Sequence, residues 1–225
     1  MVHLPFEDRL EAGRLLAHEL SLRTPEANAV VLALTRGGVP VGFAAADRLH
    51  LPLDVIVARK IGVPWQPELA MGAIAGEARI LDYRMIQELG ISDDDVDQIV
   101  AREQTEMRRR EELYRAGQSP IDLTGRTAIL IDDGLATGST MRAAILHARS
   151  FKPQRMIVAI PVGSRQACAQ LSREVDDLVC LAIPELFFAV GEWYRDFQQV
   201  SDTEVQRLLA ESRRRLNKHQ ASSAA

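Results

Sequence analysis

Residues 128–141, AILIDDGLATGSTM, combine the features that decide the fold around them. Four apolar residues open the stretch and are typical of a buried strand, and Asp132 and Asp133 follow directly at its end. Gly134 and Gly138 then allow backbone conformations that other residues resist. Three hydroxyl side chains lead into a segment with helical spacing: Thr137, Ser139 and Thr140.

The charges in this stretch predict which part of a ligand each half would bind. Backbone N–H groups at the start of a helix, the positive end of its dipole and nearby hydroxyls suit a phosphate. Asp132 and Asp133 would repel a phosphate, so we expect them to accept hydrogen bonds from the vicinal hydroxyls of a ribose. The plainer alternative is a helix capped by Thr137 or Ser139, which requires neither the paired carboxylates nor the glycines.

Composition and charge exclude several classes of partner. Hydrophobic residues make up 47% of the 225 and charged residues 26%, which is ordinary for a globular protein, and the formal net charge is -4. The chain therefore has no global positive charge to hold nucleic acid or an anionic membrane. The basic run at 108–110 is interleaved with glutamates such as Glu103, which predicts a solvated helix face.

The sequence also lacks signals for membranes and metals. No apolar run reaches the roughly 18 residues that span a bilayer, and the first residues do not have a signal-peptide pattern. We therefore expect a cytoplasmic location and no membrane or nucleic-acid partner. The histidines and cysteines match no metal-binding spacing.

Short apolar segments alternate with helical patterns and predict the architecture. Such alternation indicates an α/β fold, with a mostly parallel five-stranded sheet and helices on both faces. Right-handed crossovers bring the loops at the carboxyl ends of the strands to one edge, where ligands bind. Residues 69–75 and 78–81 predict either a hairpin or short extended pieces. The candidate strands are residues 29–34, 53–58, 127–131, 155–161 and 177–183.

Residues 128–140 resemble a motif of the type I phosphoribosyltransferase family: four apolar residues, two acids and a Gly/Thr-rich loop. That motif binds 5-phosphoribosyl 1-pyrophosphate (PRPP). The resemblance implies that Asp132 and Asp133 are catalytic residues that contact the ribose hydroxyls. It implies a reaction in which a small nitrogenous acceptor displaces pyrophosphate from PRPP, with Mg²⁺ as cofactor. The 5-phosphate would be bound by Ala136, Thr137, Gly138, Ser139 and Thr140.

Two further loops carry residues that the resemblance assigns to the pyrophosphate group. The sequence TRGG follows the first strand, which implies pyrophosphate binding by Arg36, Gly37 and Gly38. Arg59 and Lys60 close the second predicted strand, with Arg59 on the pyrophosphate and Lys60 as a catalytic residue. An ordinary Gly-Gly turn and a pair of solvated charges are the alternatives.

Aromatic residues after the last predicted strand suggest where the acceptor binds. The segment IPELFFAVG at 183–191 resembles the base-binding segment of purine-type members. The resemblance implies a base pocket formed by Phe187, Phe188 and Glu185. Ordinary core packing of these aromatic side chains is the alternative.

The resemblance also implies how the chain is organised. It predicts a single domain over residues 1–225, with a small hood from about 1–25 and 184–216. Residues 82–118 occupy the place of the family's flexible catalytic loop, which closes over PRPP and excludes water. We expect residues 217–225 to form a disordered tail, and the family resemblance implies a homodimer.

One departure from the family pattern leaves the acceptor open. Hypoxanthine/guanine members carry an acid where this chain has Ala136, whereas adenine and uracil members have Ala-Thr-Gly as here. Glu185 is the candidate substitute for that acid. Two other functions remain: a regulatory protein that binds PRPP or nucleotide without turnover, and a different sugar-phosphate enzyme of the same architecture.

Overall fold

The computed structural model describes residues 3–23 and 28–223 and contains the expected parallel sheet. Its strands are β1 (Ala29–Leu34), β2 (Leu53–Ile56), β6 (Thr127–Ile131), β7 (Arg155–Val162) and β8 (Asp177–Ala182), numbered together with a second sheet. They are all parallel, in the order β2-β1-β6-β7-β8. Because Ala33 of β1 lies opposite Ile131 of β6, the loops that follow these two strands begin side by side.

Helices cover both faces of this sheet, which confirms the predicted α/β fold. Side chains alternate along β1, so that Val31 and Ala33 pack with α1 and α2, while Val30 and Leu32 pack with α5. The described α-helices are α1 (Arg9–Arg23), α2 (Gly38–Leu49), α3 (Tyr83–Glu88), α4 (Asp93–Arg115), α5 (Ser139–Ser150), α6 (Arg165–Leu171) and α7 (Asp202–Ser223).

A second, smaller sheet begins directly after β2. It consists of β3 (Ala58–Val63), β4 (Gln66–Ala75) and β5 (Ala78–Leu81), which pair antiparallel in that order. Of the two predictions for residues 69–81, the hairpin is the correct one. The predicted strand at 53–58 is too long, because the chain from Ala58 onward pairs with β4 instead of β1. Arg59 and Lys60 therefore lie on β3, not at the end of a strand of the main sheet.

Segments from both ends of the chain meet beside the main sheet. The Phe6 N–H donates to the Trp193 carbonyl at 2.8 Å, and the Phe6 carbonyl accepts the Arg195 N–H at 2.8 Å. α1 packs against α2 and the main sheet, while α7 packs against α2 and α4. Residues 1–2 and 24–25 of the expected hood lie outside the described residues.

α7 extends further than the sequence indicated. Residues 217–223 continue the helix, so the prediction of a disordered tail from residue 217 is wrong for them; residues 224–225 lie outside the described residues. An ion pair one turn earlier, Glu211–Arg215 at 2.7 Å, and stacking of His219 on His50 at 3.7 Å stabilise this end. Neither α7 nor any other helix in the described ranges is long and apolar enough to cross a membrane.

Candidate functional site

Two helices begin with glycine at the carboxyl edge of the main sheet. α2 has Gly37 as its N-cap and α5 has Gly138, and no described side chain caps either helix. The alternative of an N-cap by Thr137 or Ser139 is therefore wrong. Because β1 and β6 are neighbours, both helix starts lie at the same edge with their N–H groups and positive dipole ends. Such an edge favours an anionic ligand.

The first loop, residues 35–38 after β1, needs its glycines because it lies against the acids of the loop after β6. A Cβ on Gly37 would overlap the Asp133 carboxylate, 2.6 Å from its Cγ. A Cβ on Gly38 would lie 2.6 Å from the Ile131 carbonyl oxygen and 2.9 Å from the Asp132 Cα. The close approach of the two loops therefore excludes larger residues at both positions.

Asp133 is held by Arg9, a residue that the sequence reasoning missed. Arg9 Nε and Nη2 both lie 2.8 Å from Asp133 Oδ2, and the two side chains are only 11% and 14% exposed. The guanidinium also lies 3.8 Å from the ring centroid of Phe197 and donates to the Gln198 carbonyl. The Tyr194 hydroxyl donates to the Asp133 carbonyl at 2.6 Å. Asp133 therefore ties its loop to segments near both ends of the chain.

Asp132 has a different environment from its neighbour. Its Oδ1 accepts the Asp133 backbone N–H at 2.9 Å. Burial raises the pKa of Asp132 well above the ordinary value of 3.8, and the Asp133 charge adds to this rise. Burial also raises the pKa of Asp133, but Arg9 opposes that rise. The charge of Asp132 is thus poorly compensated, so hydroxyl donors or a cation from a ligand would stabilise it.

The loop that precedes α5 is fixed at its base and exposed at its tip. Gly138 has a φ of 81°, which glycine adopts much more readily than other residues. The Ala136 carbonyl accepts the Ser164 hydroxyl at 2.7 Å, which fixes the loop to the start of α6. The Thr137 and Ser139 hydroxyls lie 3.4 Å apart. Although its carbonyl is bonded, Ala136 is exposed, as is Thr137, so this part of the loop is accessible to a ligand.

A cleft of about 750 Å³ opens between the first loop, β3 and α4. It is lined by Arg36, Arg59 and Lys60, the basic residues that the sequence assigned to this site. Thr140, the second residue of α5, also lines the cleft, so the cleft reaches the start of this helix. The Thr35 hydroxyl is buried at its wall without a hydrogen-bond partner among the described residues. The charged residues that α4 contributes are Asp95, Arg102, Glu103 and Arg110.

Each of these three basic residues contacts a carboxylate of another element. Arg36 Nη1 lies 3.5 Å from Asp202 Oδ1 at the start of α7. Asp202 also accepts the Tyr114 hydroxyl at 2.6 Å, and this hydrogen bond lowers the pKa of Asp202. Lys60 Nζ lies 3.0 Å from Glu68 Oε2, but Glu68 is 94% exposed, so this pair contributes little.

The third basic residue, Arg59, is held by Glu103. Arg59 Nε lies 2.8 Å from Glu103 Oε2, and Arg59 Nη2 contacts the same oxygen. Glu103 is only 8% exposed, so the prediction of a solvated helix face is wrong at this residue. A buried glutamate on a helix rich in arginine and glutamate has the same local sequence pattern as an exposed one, which is why the sequence reasoning missed it.

The residues predicted to form the base pocket have different environments. Phe187 is half-buried in an apolar cluster with residues from both ends of the chain, whereas Phe188 is 78% exposed. Glu185 is also exposed. Their segment does reach the loop after β6, because a Val190 methyl lies 2.8 Å from the position that a Cβ on Gly134 would take.

The residues present fit a magnesium ion that a ligand carries. Within the ranges that the structure describes, no three His, Cys, Asp or Glu side chains are grouped to hold a metal. Mg²⁺ is commonly bound by one or two carboxylates together with substrate phosphates. Asp132, whose charge is poorly compensated, meets the carboxylate part of that description.

Sequence comparison places the chain among known proteins. Residues 7–201 match the family model described as phosphoribosyl transferase domain. A Mycobacterium tuberculosis H37Rv protein, provisionally named a phosphoribosyl transferase, is 44% identical over 210 residues, which are 93% of this chain and 47% of that protein. The chain thus spans about half the length of the curated relatives it matches.

Solved structures share the fold of this chain. TT1426 from Thermus thermophilus has a TM-score of 0.76 at 38% identity, covering 92% of this chain and 98% of that chain. A Neisseria gonorrhoeae protein with a TM-score of 0.50 at 11% identity, covering 93% and 99% of the two chains, shares the fold alone. Given the match over residues 7–201, the chain belongs to the phosphoribosyl transferase family.

Proposed function

We propose that this chain binds PRPP with Mg²⁺ and transfers its phosphoribosyl group to a nitrogen nucleophile, releasing pyrophosphate. The observation that carries the proposal is the pair of helix starts, at Gly37 and Gly138. Asp132 lies in the loop that leads from β6 to the second of these starts, and its backbone approaches Gly38. Two such starts suit a ligand with phosphate groups at both ends, and a carboxylate suits hydroxyls between them. PRPP has this order of groups: pyrophosphate, ribose and 5-phosphate.

Each residue predicted to bind PRPP then has a role. Asp132 accepts the ribose hydroxyls, while Asp133 positions the loop through its pair with Arg9. Lys60 adds positive charge near the leaving group. Pyrophosphate is bound by Arg36, Gly37, Gly38 and Arg59, and the 5-phosphate by Ala136, Thr137, Gly138, Ser139 and Thr140.

The proposed reaction breaks the bond from C1 of the ribose to the pyrophosphate oxygen and forms one to the acceptor nitrogen. The chain positions the two reactants and stabilises the charge that develops on the leaving group. Mg²⁺, when bound, offsets the negative charge of the pyrophosphate. No covalent intermediate with the protein is required.

The test is release of pyrophosphate from PRPP and Mg²⁺ with a panel of purine bases, pyrimidine bases and simple amines. We expect release and a matching nucleotide product with one class of acceptor. Asp132→Asn should abolish this release, while Asp122→Asn, at an exposed position before β6, should not. A folded chain without Mg²⁺-dependent PRPP binding in calorimetry would contradict the proposal.

A regulatory protein that binds PRPP or nucleotide without turnover is the second candidate. Ala136 is compatible with it, because this exposed residue supplies no acid to an acceptor base, although adenine and uracil members also carry alanine here. PRPP binding without pyrophosphate release on any acceptor would support this candidate over the enzyme. The homodimer stays a prediction from the family resemblance and the cytoplasmic location one from the sequence pattern, and sedimentation of the purified chain tests the first.

A further inference from the structure

Glu103 lies where an anionic ligand would contact Arg59. Its Oε2 accepts hydrogen bonds from Arg59 Nε at 2.8 Å and from Arg59 Nη2, while its Oε1 lies 3.2 Å from Arg102 Nε. The side chains of Glu103 and Arg59 are 11% and 25% exposed, so water screens their attraction only weakly. Both residues line the cleft of about 750 Å³.

This geometry has a consequence for any anion that enters the cleft. A guanidinium that donates two N–H groups to a carboxylate oxygen is using the donors that it would offer to a phosphate. An anion must therefore displace Glu103 from Arg59 or lie beside its negative charge. Displacement leaves Glu103 next to Arg102, so its charge keeps a partner.

The cleft makes this exchange easier for some anions than for others. Arg36 and the Thr35 hydroxyl, which has no hydrogen-bond partner in the described part of the chain, line the same cleft as Arg59. A diphosphate is long enough and carries enough charge to contact several of these donors together, whereas an orthophosphate or sulfate has fewer contacts to offset the loss of the Glu103 pair. Competition with Glu103 would therefore penalise small anions most.

We propose that Glu103 is a specificity-determining residue, an internal carboxylate that competes for Arg59 and so favours pyrophosphate groups over single phosphates. This proposal rests on the proposed function only in naming PRPP as the natural ligand, since the competition applies to any anion in the cleft. Glu103 contacts no substrate in this role, and it acts through Arg59.

The test is calorimetric titration of the full chain with inorganic pyrophosphate, orthophosphate and PRPP at fixed Mg²⁺. Removing one nearby charge by Glu103→Gln should tighten pyrophosphate binding roughly tenfold and orthophosphate binding by a larger factor, so that selectivity falls; equal gains for the two anions would overturn the specificity role. Glu112→Gln removes the same charge from an exposed position of α4 and should change affinity by less than about twofold. Glu103→Asp, which keeps the charge but shortens its reach, should act in the same direction but more weakly, and covers the case in which Glu103→Gln does not fold.

A double variant separates competition from a general charge effect. The double variant Arg59→Gln/Glu103→Gln is compared with Arg59→Gln alone. In that background Glu103→Gln should give no gain in pyrophosphate affinity, because the gain acts through Arg59. Unchanged or weaker pyrophosphate binding in a folded Glu103 variant, or a gain that persists in the double variant, overturns the inference. If the expected gain is seen but no variant binds PRPP, the proposed function fails and the inference stands; if PRPP binds equally to the wild-type chain and Glu103→Gln, the inference fails and the proposed function stands.

Discussion

Arg9 Nε and Nη2 each lie 2.8 Å from Asp133 Oδ2, although the two residues are 124 positions apart in the sequence. The pair joins the first residue of α1 to the loop after β6, and its guanidinium packs against Phe197. Because both charges are largely buried, each is stable only while the other is present.

Arg9→Ala should lower the free energy of unfolding by about 2–3 kcal/mol, because it leaves a nearly buried Asp133 without its partner. Arg9→Lys keeps the charge but loses the paired donors, so its loss should be smaller. Urea denaturation measures both changes. Arg195→Ala is the control, since Arg195 pairs with Glu7 at 3.4 Å with both side chains mostly exposed; equal losses in the two alanine variants would contradict the importance of burial.

The two adjacent aspartates should respond differently to neutralisation. Asp132→Asn removes a poorly compensated charge, so the chain should be as stable as the wild type or more so at neutral pH, while PRPP binding is lost. Asp133→Asn leaves Arg9 without its carboxylate and should destabilise the fold by about 1–3 kcal/mol. Denaturation combined with PRPP calorimetry distinguishes these effects. A similar loss of stability in both variants would show that the two residues have one shared role.

Alanine at Gly37 or Gly38 should lower the stability of the fold because its Cβ would clash with neighbouring atoms, not because of backbone strain. Gly38→Ala would place its Cβ 2.6 Å from a backbone oxygen, so we expect a larger loss of stability than for Gly37→Ala, whose Cβ meets a side chain. Gly117→Ala is the control, since nothing lies within 4 Å but its φ is 81°. Its cost should be about 1 kcal/mol from the backbone alone. Thermal unfolding of the three variants gives the order.

Tyr114→Phe should reduce stability by about 1 kcal/mol at neutral pH, because it removes a hydrogen bond to the charged, partly exposed Asp202. This hydrogen bond lowers the pKa of Asp202 below its ordinary value of 3.8, so the stabilisation is present above that pH and is lost as the pH falls through the lowered pKa. The stability difference between variant and wild type should therefore shrink in acid. Tyr83→Phe, at a residue that is 65% exposed, should show no difference at any pH.

Phe188→Ala tests the predicted base pocket. Phe188 is 78% exposed, so its removal should change stability by less than about 0.5 kcal/mol. If it stacks on the acceptor base, the KM for the acceptor should rise roughly tenfold while PRPP binding is unchanged. Phe187, whose ring centroid lies 6.5 Å from that of Trp193, is the contrast, because Phe187→Ala should mainly reduce stability. An unchanged KM in Phe188→Ala removes this residue from the pocket.

The sequence by itself determined the parts of this protein that depend on neighbouring residues. The apolar runs identified the strands of the main sheet, and the stretch at 128–141 identified the loop after β6. These features are local, since a buried strand needs a short apolar run and a phosphate-binding turn needs glycine and hydroxyls within a few residues. The crossover rules for parallel sheets then predicted that two loops would share one edge.

The tertiary structure alone decided how the charges of the site are paired. Arg9 joins Asp133 across 124 positions and Arg59 joins Glu103 across 44, and no local pattern distinguishes Arg9 or Glu103 from the other charges of their helices. Likewise, the chain leaves the main sheet between Ile56 and Ala58 because β4 offers an antiparallel partner there, which the apolar run itself does not encode. Burial turns such long-range contacts into strong interactions, because it removes the water that would otherwise screen each charge.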